Sequence, residues 1–209
     1  MNSLCFERAV FIKSVVSWGD LPPANEPEVA LVGRSNAGKS SALNVLANRT
    51  RLAYVSKMPG RTQALNYFSL PKGGFIVDLP GYGYAKTPKA TKIDWGPLLG
   101  RYIAERTPLA GVVMLMDIRH PLTELDLGFL DWYAPSRKPL LVLLTKSDKV
   151  SNQVKIETRR AVNTHLEKAG WDMGNVQVHN FSALKRIGLQ EASAAIATWL
   201  PSNPVEKTS

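Results

Sequence analysis

The sequence predicts an α/β fold of three layers, with a mostly parallel six-stranded sheet, one antiparallel edge strand and helices on both faces. Three observations lead to this prediction. Short apolar runs alternate with segments of helical periodicity, which is the order of strand–helix–strand units. The central runs are apolar throughout, as expected of strands covered on both faces. One pair of strands is joined by the short turn 71–74, which makes that pair antiparallel.

The elements follow in order from the N-terminus. Residues 1–28 hold a short apolar piece and then a proline-rich stretch, and we expect them to pack on a domain that spans residues 29–200. Strands are predicted at residues 29–32, 66–70, 75–78, 110–117, 140–144 and 176–181. Helices are predicted at residues 39–48, 95–106, 122–133, 152–169 and 188–200. Residues 49–65 and 86–94 are predicted loops, and 201–209 a polar, disordered tail.

Composition limits the compartment and the class of partner. The single cysteine, Cys5, excludes an internal disulfide, so we expect a reducing, cytoplasmic compartment. No stretch approaches 18 uninterrupted apolar residues, so we expect no membrane insertion. We also expect a monomer. The formal charge is +9, and residues 49–92 hold eight basic side chains against one acid. Either this run is a solvated face or it meets a polyanion. The polyanion hypothesis assigns RNA-facing roles to Lys57, Arg61, Lys86, Lys89 and Lys92.

The most informative stretch follows the first strand of the predicted domain. It fits the pattern Gly, any four residues, Gly-Lys-Ser, and consists of Gly33, Arg34, Ser35, Asn36, Ala37, Gly38, Lys39 and Ser40. Between a strand and a helix, this pattern predicts a phosphate-binding loop, because its amides and the helix N-terminus converge on an anion. Lys39 would reach the β and γ phosphates, and Ser40 would offer its hydroxyl to Mg²⁺.

Three further motifs follow predicted strands, so we expect them at the same edge of the sheet. Asp78-Leu79-Pro80-Gly81 supplies a carboxylate for Mg²⁺, through a water, and a glycine amide for the γ phosphate. In Thr145-Lys146-Ser147-Asp148, the Asp148 carboxylate can accept two hydrogen bonds from guanine, and adenine offers no such donor pair. The stem of Lys146 would cover the base. Ser182-Ala183, after Phe181, would place amides at guanine O6.

These motifs, in this order, resemble the translation-factor-related P-loop GTPases. The strings at residues 33–41, which end in Ser41, at 59–63 and at 78–85 narrow the resemblance to the EngB/YihA/YsxC family of bacterial GTPases. The resemblance implies a cytosolic GTP-binding protein that assists assembly of the large ribosomal subunit and supports division and septation. It also implies that Thr62 is a switch threonine that binds Mg²⁺ only with GTP. Its neighbours Gly60, Arg61 and Gln63 would contact the nucleotide.

The candidate catalytic residues are Lys39, Thr62, Gly81 and Asn36. Ras-like enzymes carry a Gln after the Asp-x-x-Gly glycine, and this chain has Tyr82, which predicts slow intrinsic hydrolysis or a nucleotide-stabilised binding module without turnover. Asn36 resembles the Asn of potassium-stimulated GTPases that ligates K⁺, and the alternative is a residue suited to turn geometry. A membrane or division partner is a third hypothesis. We further expect the stretch Asp117-Ile118-Arg119 to form a structural ion pair with Asp126, through Arg119, and not to act in catalysis.

Overall fold

The computed structural model describes residues 6–52, 64–82 and 96–201. Within these ranges the chain forms the predicted mostly parallel α/β fold with helices on both faces, and this prediction is confirmed. Most of the two predicted loops, and the tail after Pro201, lie outside the described residues. None of the described helices has the length and the apolar composition that a bilayer crossing needs.

The described strands and helices alternate along the chain. The strands are β1 (Val10–Val15), β2 (Glu28–Gly33), β3 (Leu65–Ser69), β4 (Phe75–Asp78), β5 (Leu109–Asp117), β6 (Leu140–Thr145) and β7 (Val176–Asn180). The helices are α1 (Lys39–Leu46), α2 (Gly96–Glu105), α3 (Glu124–Tyr133), α4 (Asn152–Lys168) and α5 (Leu189–Ala197).

The sheet of the described residues has seven strands in the order β1-β3-β4-β2-β5-β6-β7, which corrects the predicted six. The additional strand, β1, comes from the leading segment and pairs antiparallel with β3 at the edge. Its register shifts between Phe11 and Lys13, so one extra residue interrupts the two-residue alternation that would have revealed a strand. The antiparallel strand β3 therefore lies inside the sheet, between β1 and β4, and not at the edge as predicted.

Two apolar layers sandwich the sheet. Successive residues of β2 alternate between them: Ala30 and Val32 belong to the layer under α2, α3 and α4, and Val29 and Leu31 to the layer under α1 and α5. Both layers consist of side chains that are fully buried or nearly so. A strand covered on both faces has no polar side, which is why the central strands read as continuous apolar runs.

The predicted ion pair between Arg119 and Asp126 is wrong. Asp126 is buried, and its Oδ2 accepts hydrogen bonds from the Thr123 N–H and hydroxyl, at 3.0 and 2.8 Å, in the cap that begins α3. Its Oδ1 accepts a bond from Tyr82. Arg119 instead contacts Asp117 at the end of β5, two residues before it. The helix cap and Tyr82 each engage one oxygen of the carboxylate, and its burial leaves it inaccessible to a surface arginine.

Candidate nucleotide-binding site

The loop between β2 and α1 has the backbone geometry of an anion cradle. Asn36 and Gly38 both adopt positive φ angles, +65° and +94°. The Ala37 N–H donates to the Arg34 carbonyl oxygen at 3.0 Å and closes the turn. Gly38 is the N-cap of α1 and offers no side-chain hydrogen bond to the first-turn amides. These amides are what a phosphate group would bind.

The Asp78–Tyr82 segment, which begins at the last residue of β4, is bonded directly to this loop. The Ser35 N–H donates to the Tyr82 carbonyl oxygen at 3.0 Å, and the Lys39 ammonium contacts the Asp78 carboxylate. A Cβ added at Gly81 would lie 3.4 Å from the Ser35 nitrogen, which is van der Waals contact, so the backbone at Gly81 passes directly beside the loop. Leu79 is buried in the core and faces away from the loop. The structure thus brings the first two predicted motifs together.

The predicted base-binding end of the site is an open cleft of about 530 Å³. The predicted site residues that line it are Gly38, Ser41, Thr145, Lys146, Asp148, Phe181, Ser182 and Ala183. The Ser182 hydroxyl donates a 2.5 Å hydrogen bond to Asp148 Oδ1 and holds the pKa of this carboxyl below its ordinary value. Asp148 is therefore a fixed, ionised acceptor, which is the group that the N1–H and exocyclic amine of guanine require.

Hydrogen bonds below the cleft join the phosphate loop to the base-binding strands. The Thr145 hydroxyl lies 2.6 Å from the Ala37 carbonyl oxygen and 3.1 Å from that of Met116. The Ser147 N–H donates to the Phe181 carbonyl oxygen at 3.1 Å, while the Ser147 side chain is buried. The hydrogen bonds of Thr145 and Ser147 thus join the phosphate loop, the end of β6 and the segment after β7 into one bonded unit.

Lys146, in the loop after β6, is hydrogen-bonded to the phosphate loop. Its ammonium donates to the Asn36 carbonyl oxygen at 2.8 Å and lies 2.9 Å from Asp117 Oδ2. Sequence reasoning placed Lys146 at the base but missed its contact with Asp117. The available signal was the position of Asp117 at the carboxyl end of a central buried strand, opposite Thr145 in the parallel register.

Tyr82 occupies the position of the Ras glutamine, but its side chain lies in the core. The ring is 4% exposed and stacks on Phe129, and the hydroxyl donates to Asp126. Burial, with Asp126 adding to it, raises the pKa of the phenol well above its ordinary value. Tyr82 therefore remains neutral, and its side chain is engaged in the core.

Some site residues were not predicted, and others lie outside the described residues. The end of α1 and the turn after it contribute Asn44, Asn48, Arg49 and Thr50 to the cleft. Their signal was proximity in sequence, because a helix that begins at the phosphate loop carries its own end along the cleft. The predicted switch residues Gly60, Arg61, Thr62 and Gln63, and the basic residues Lys57, Lys86, Lys89 and Lys92, lie outside the described ranges.

The donor set of the described site suits Mg²⁺. Ser40, in the first turn of α1, and Asp78, at the end of β4, supply a hydroxyl and a carboxylate beside the phosphate loop. Oxygen donors of this kind are what Mg²⁺ selects. Among the described residues no group of three His, Cys, Asp or Glu side chains is gathered as a metal site. Mg²⁺ at nucleotides is usually held by one or two protein oxygens together with the phosphates, so two donors suffice.

Comparison with known proteins identifies relatives over nearly the whole chain. A family model described as a 50S ribosome-binding GTPase matches residues 28–146. A probable GTP-binding protein EngB of Dechloromonas aromatica is 52% identical over 198 residues, which cover 93% of this chain and 88% of the relative. The protein of the same name from Thiobacillus denitrificans is 52% identical over 193 residues, covering 92% and 91%.

Solved structures show the same architecture. A crystal structure of a probable GTP-binding protein engB has a TM-score of 0.61 at 19% identity and covers 82% of this chain and 97% of that one. Bacterial selenocysteine-specific elongation factor EF-Sec gives a TM-score of 0.59 at 18% identity, covering 83% of this chain and 28% of the factor. At such identities the likeness shows the fold alone.

Proposed function

The chain belongs to the EngB family of GTP-binding GTPases, and from this premise we propose that it is a nucleotide-gated switch in assembly of the large ribosomal subunit. In this proposal GTP orders the segments that follow the phosphate loop, so that they bind the pre-ribosomal particle. Hydrolysis to GDP releases them. The protein acts as a cytoplasmic monomer, and its effect on division and septation follows from the supply of large subunits.

The observation that carries the switch is the direct bonding of the Asp78–Tyr82 segment to the phosphate loop. The Ser35 N–H binds the Tyr82 carbonyl oxygen at 3.0 Å, and Lys39 contacts Asp78. A γ phosphate with Mg²⁺ would compete for both Lys39 and Asp78. A nucleotide that binds at the phosphate loop would therefore act directly on the segment that continues from Tyr82, because the two are hydrogen-bonded to each other.

We assign Mg²⁺ to Ser40 and Asp78, the latter through a water, with Thr62 as a third donor in the GTP state. The metal would neutralise the phosphate charge during hydrolysis. Lys39 and the loop amides bind the β and γ phosphates, and the Gly81 amide approaches the γ phosphate. Asp148 selects guanine, with Lys146 against the base and the amides of Ser182 and Ala183 at O6.

Intrinsic hydrolysis is expected to be slow, because the side chain at the glutamine position is buried in the core. We propose that K⁺ ligated by the Asn36 side chain supplies part of the missing charge stabilisation. Asn36 is exposed beside the loop, and its φ of +65° also suits an Asn without any cation. Turnover compared in KCl and NaCl separates the two roles. Asn36→Gly preserves the positive φ and removes the amide, so it should abolish a potassium effect; equal turnover in both salts assigns Asn36 to turn geometry.

The ribosomal partner is supported by charge and by the description of the matched family model. Residues 49–92 carry eight basic side chains and one acid, and the described members of this set include Arg49 at the cleft. An RNA backbone is the polyanion that an assembly factor meets. Each phosphate contact adds roughly 0.7 to 0.9 to the slope of log affinity against log salt concentration.

Co-sedimentation with purified large subunits tests the proposal. The protein is pelleted with GDP or a non-hydrolysable GTP analogue at two salt concentrations. We expect binding that requires the analogue and falls with salt. Binding that is indifferent to nucleotide would instead support a module stabilised by guanine nucleotide without switching.

Two triple variants with the same change in net charge test which surface binds the large subunit. Lys86→Glu, Lys89→Glu and Lys92→Glu together should weaken pelleting. As the control, Arg159→Glu, Arg160→Glu and Lys168→Glu make the same charge change at exposed positions of α4, outside the basic run. Equal loss with both triples would mean that net charge, and not this surface, drives the association.

A further inference from the structure

The carboxylate at the end of β5 contacts the site through Lys146, but it has no functional role in the site described so far. Asp117 does not line the cleft, yet its side chain is only 10% exposed and contacts a residue that does. The contact is with the Lys146 ammonium, 2.9 Å from Asp117 Oδ2. This pair therefore links the end of a central strand to the wall against which a base would lie.

Asp117 is itself fixed in orientation. Arg119 donates to it through Nε, at 2.9 Å from Oδ1, and through Nη2, at 2.6 Å from Oδ2. The Arg119 backbone N–H adds a bond of 3.1 Å to Oδ1. A carboxylate with both oxygens engaged in a two-pronged arginine contact has little rotational freedom. It is a rigid acceptor for the lysine.

Lys146 is constrained from two separate elements. Its backbone has a φ of +57°, which is unusual for a residue with a side chain. Its ammonium is shared between Asp117, at the end of β5, and the Asn36 carbonyl oxygen in the phosphate loop. With the ammonium held at one end and the backbone at the other, the methylene stem between them lies along the cleft in a defined position.

We propose that Asp117 is a positioning residue for guanine nucleotide: through Lys146 it orders the base platform and joins that platform to the phosphate loop. A long lysine side chain loses considerable rotamer entropy when it is immobilised. Because Asp117 immobilises it in advance, the nucleotide meets a preorganised wall and binds more tightly. Asp117 thus acts on affinity, and Arg119 acts by orienting Asp117. The inference rests on the nucleotide binding of the family and is independent of the ribosomal partner.

Isothermal titration of the full chain with Mg²⁺·GDP tests this inference. The set comprises the wild type, Asp117→Asn, Lys146→Met, the double variant, and the control Asp131→Asn, which removes the same charge from an exposed position on α3. Asp117→Asn should raise Kd about five- to tenfold, the effect of a charge-assisted hydrogen bond reduced by partial exposure. Asp131→Asn should match the wild type.

The double variant separates positioning from a structural role. If Asp117 acts through Lys146, the double variant binds no more weakly than Lys146→Met alone. In turnover assays, Asp117→Asn should raise KM for GTP more than it changes kcat. The fitted stoichiometry gives the folded fraction, so Kd is measured on folded protein even if stability falls. An unchanged Kd for Asp117→Asn, or additive losses in the double variant, would overturn the inference; wild-type protein that fails to bind GDP would instead contradict the family's nucleotide binding.

Discussion

The phenol of Tyr82 donates a 2.6 Å hydrogen bond to Oδ1 of Asp126, the residue whose other oxygen caps α3. The backbone of the same tyrosine accepts a bond from Ser35 in the phosphate loop. A single residue thus connects the loop to the beginning of a helix on one face of the sheet. At the position where Ras-like enzymes carry a water-orienting glutamine, this chain carries a side chain with structural contacts.

Replacing Tyr82 with glutamine should not produce Ras-like hydrolysis, because the side chain at this position enters the core. Tyr82→Gln buries an amide and leaves a gap beside Phe129, so the free energy of unfolding should fall by about 3 kcal/mol. We expect no rise in the rate constant of GTP hydrolysis measured under single-turnover conditions. Tyr82→Phe is the control: it preserves the ring stack and removes only the hydrogen bond, at a cost of about 1 to 3 kcal/mol in urea unfolding. A faster Tyr82→Gln enzyme would show that residue 82 can turn toward the nucleotide.

The sequence was most informative where backbone chemistry and residue type agree. The strand–loop–helix geometry of residues 33–40 could be predicted because two glycines lie between an apolar run and a helical segment, and Gly38 takes the positive φ that glycine permits. The position of Asp148 at the cleft could be predicted because it follows a continuous buried strand. These features are local in sequence, and the parallel topology then brings them to one edge.

Long-range pairing was beyond sequence reasoning. The bulge in β1 breaks the alternation that marks a strand, so the seventh strand was missed. Asp126 lies near Arg119 in sequence, but its bond to Tyr82 spans 44 positions. The partner of a charged side chain depends on which groups the sheet brings together, and residue spacing does not encode that.

Thr145→Val should weaken the connection between the phosphate loop and β6. Valine has the same shape but leaves the Ala37 carbonyl oxygen without its 2.6 Å partner, so we expect a loss of about 1 to 3 kcal/mol in unfolding free energy and weaker GDP binding. Thr198→Val is matched to it, since Thr198 also donates to a backbone carbonyl oxygen, at 2.7 Å, but at the exposed end of α5. Equal effects of the two substitutions on GDP affinity, measured by titration, would contradict this role of Thr145.

Asp148→Asn should exchange base preference. Asparagine lacks the carboxylate that accepts two hydrogen bonds from guanine, so GDP binding should weaken by about 3 kcal/mol, roughly 100-fold. Xanthine has a carbonyl where guanine has its exocyclic amine, and the asparagine N–H₂ group can donate to that carbonyl. Xanthosine diphosphate should therefore bind the variant more tightly than it binds the wild type. Competition titration with the two nucleotides checks both directions, and each serves as control for the other. Because the hydrogen bond from Ser182 holds the pKa of Asp148 below its ordinary value, the carboxylate keeps its charge between pH 8 and 5, and affinity should not fall over this range through this group. Loss of affinity for both nucleotides would indicate collapse of the cleft.

Glu28→Gln should destabilise the fold far from the nucleotide. Glu28 is fully buried at the start of β2 and accepts bonds from Tyr67, Tyr102 and the Arg106 guanidinium, which also lies within the core. Removing its charge leaves Arg106 buried without a counter-charge, and the free energy of unfolding should fall by about 3 to 5 kcal/mol. Glu105→Gln breaks the exposed pair with Arg101 and should change it by less than about 1 kcal/mol. Urea unfolding measures both, and similar losses would mean that the buried network contributes no more than a surface pair. GDP affinity of folded Glu28→Gln protein should match the wild type, because Glu28 and the phosphate loop lie at opposite ends of β2.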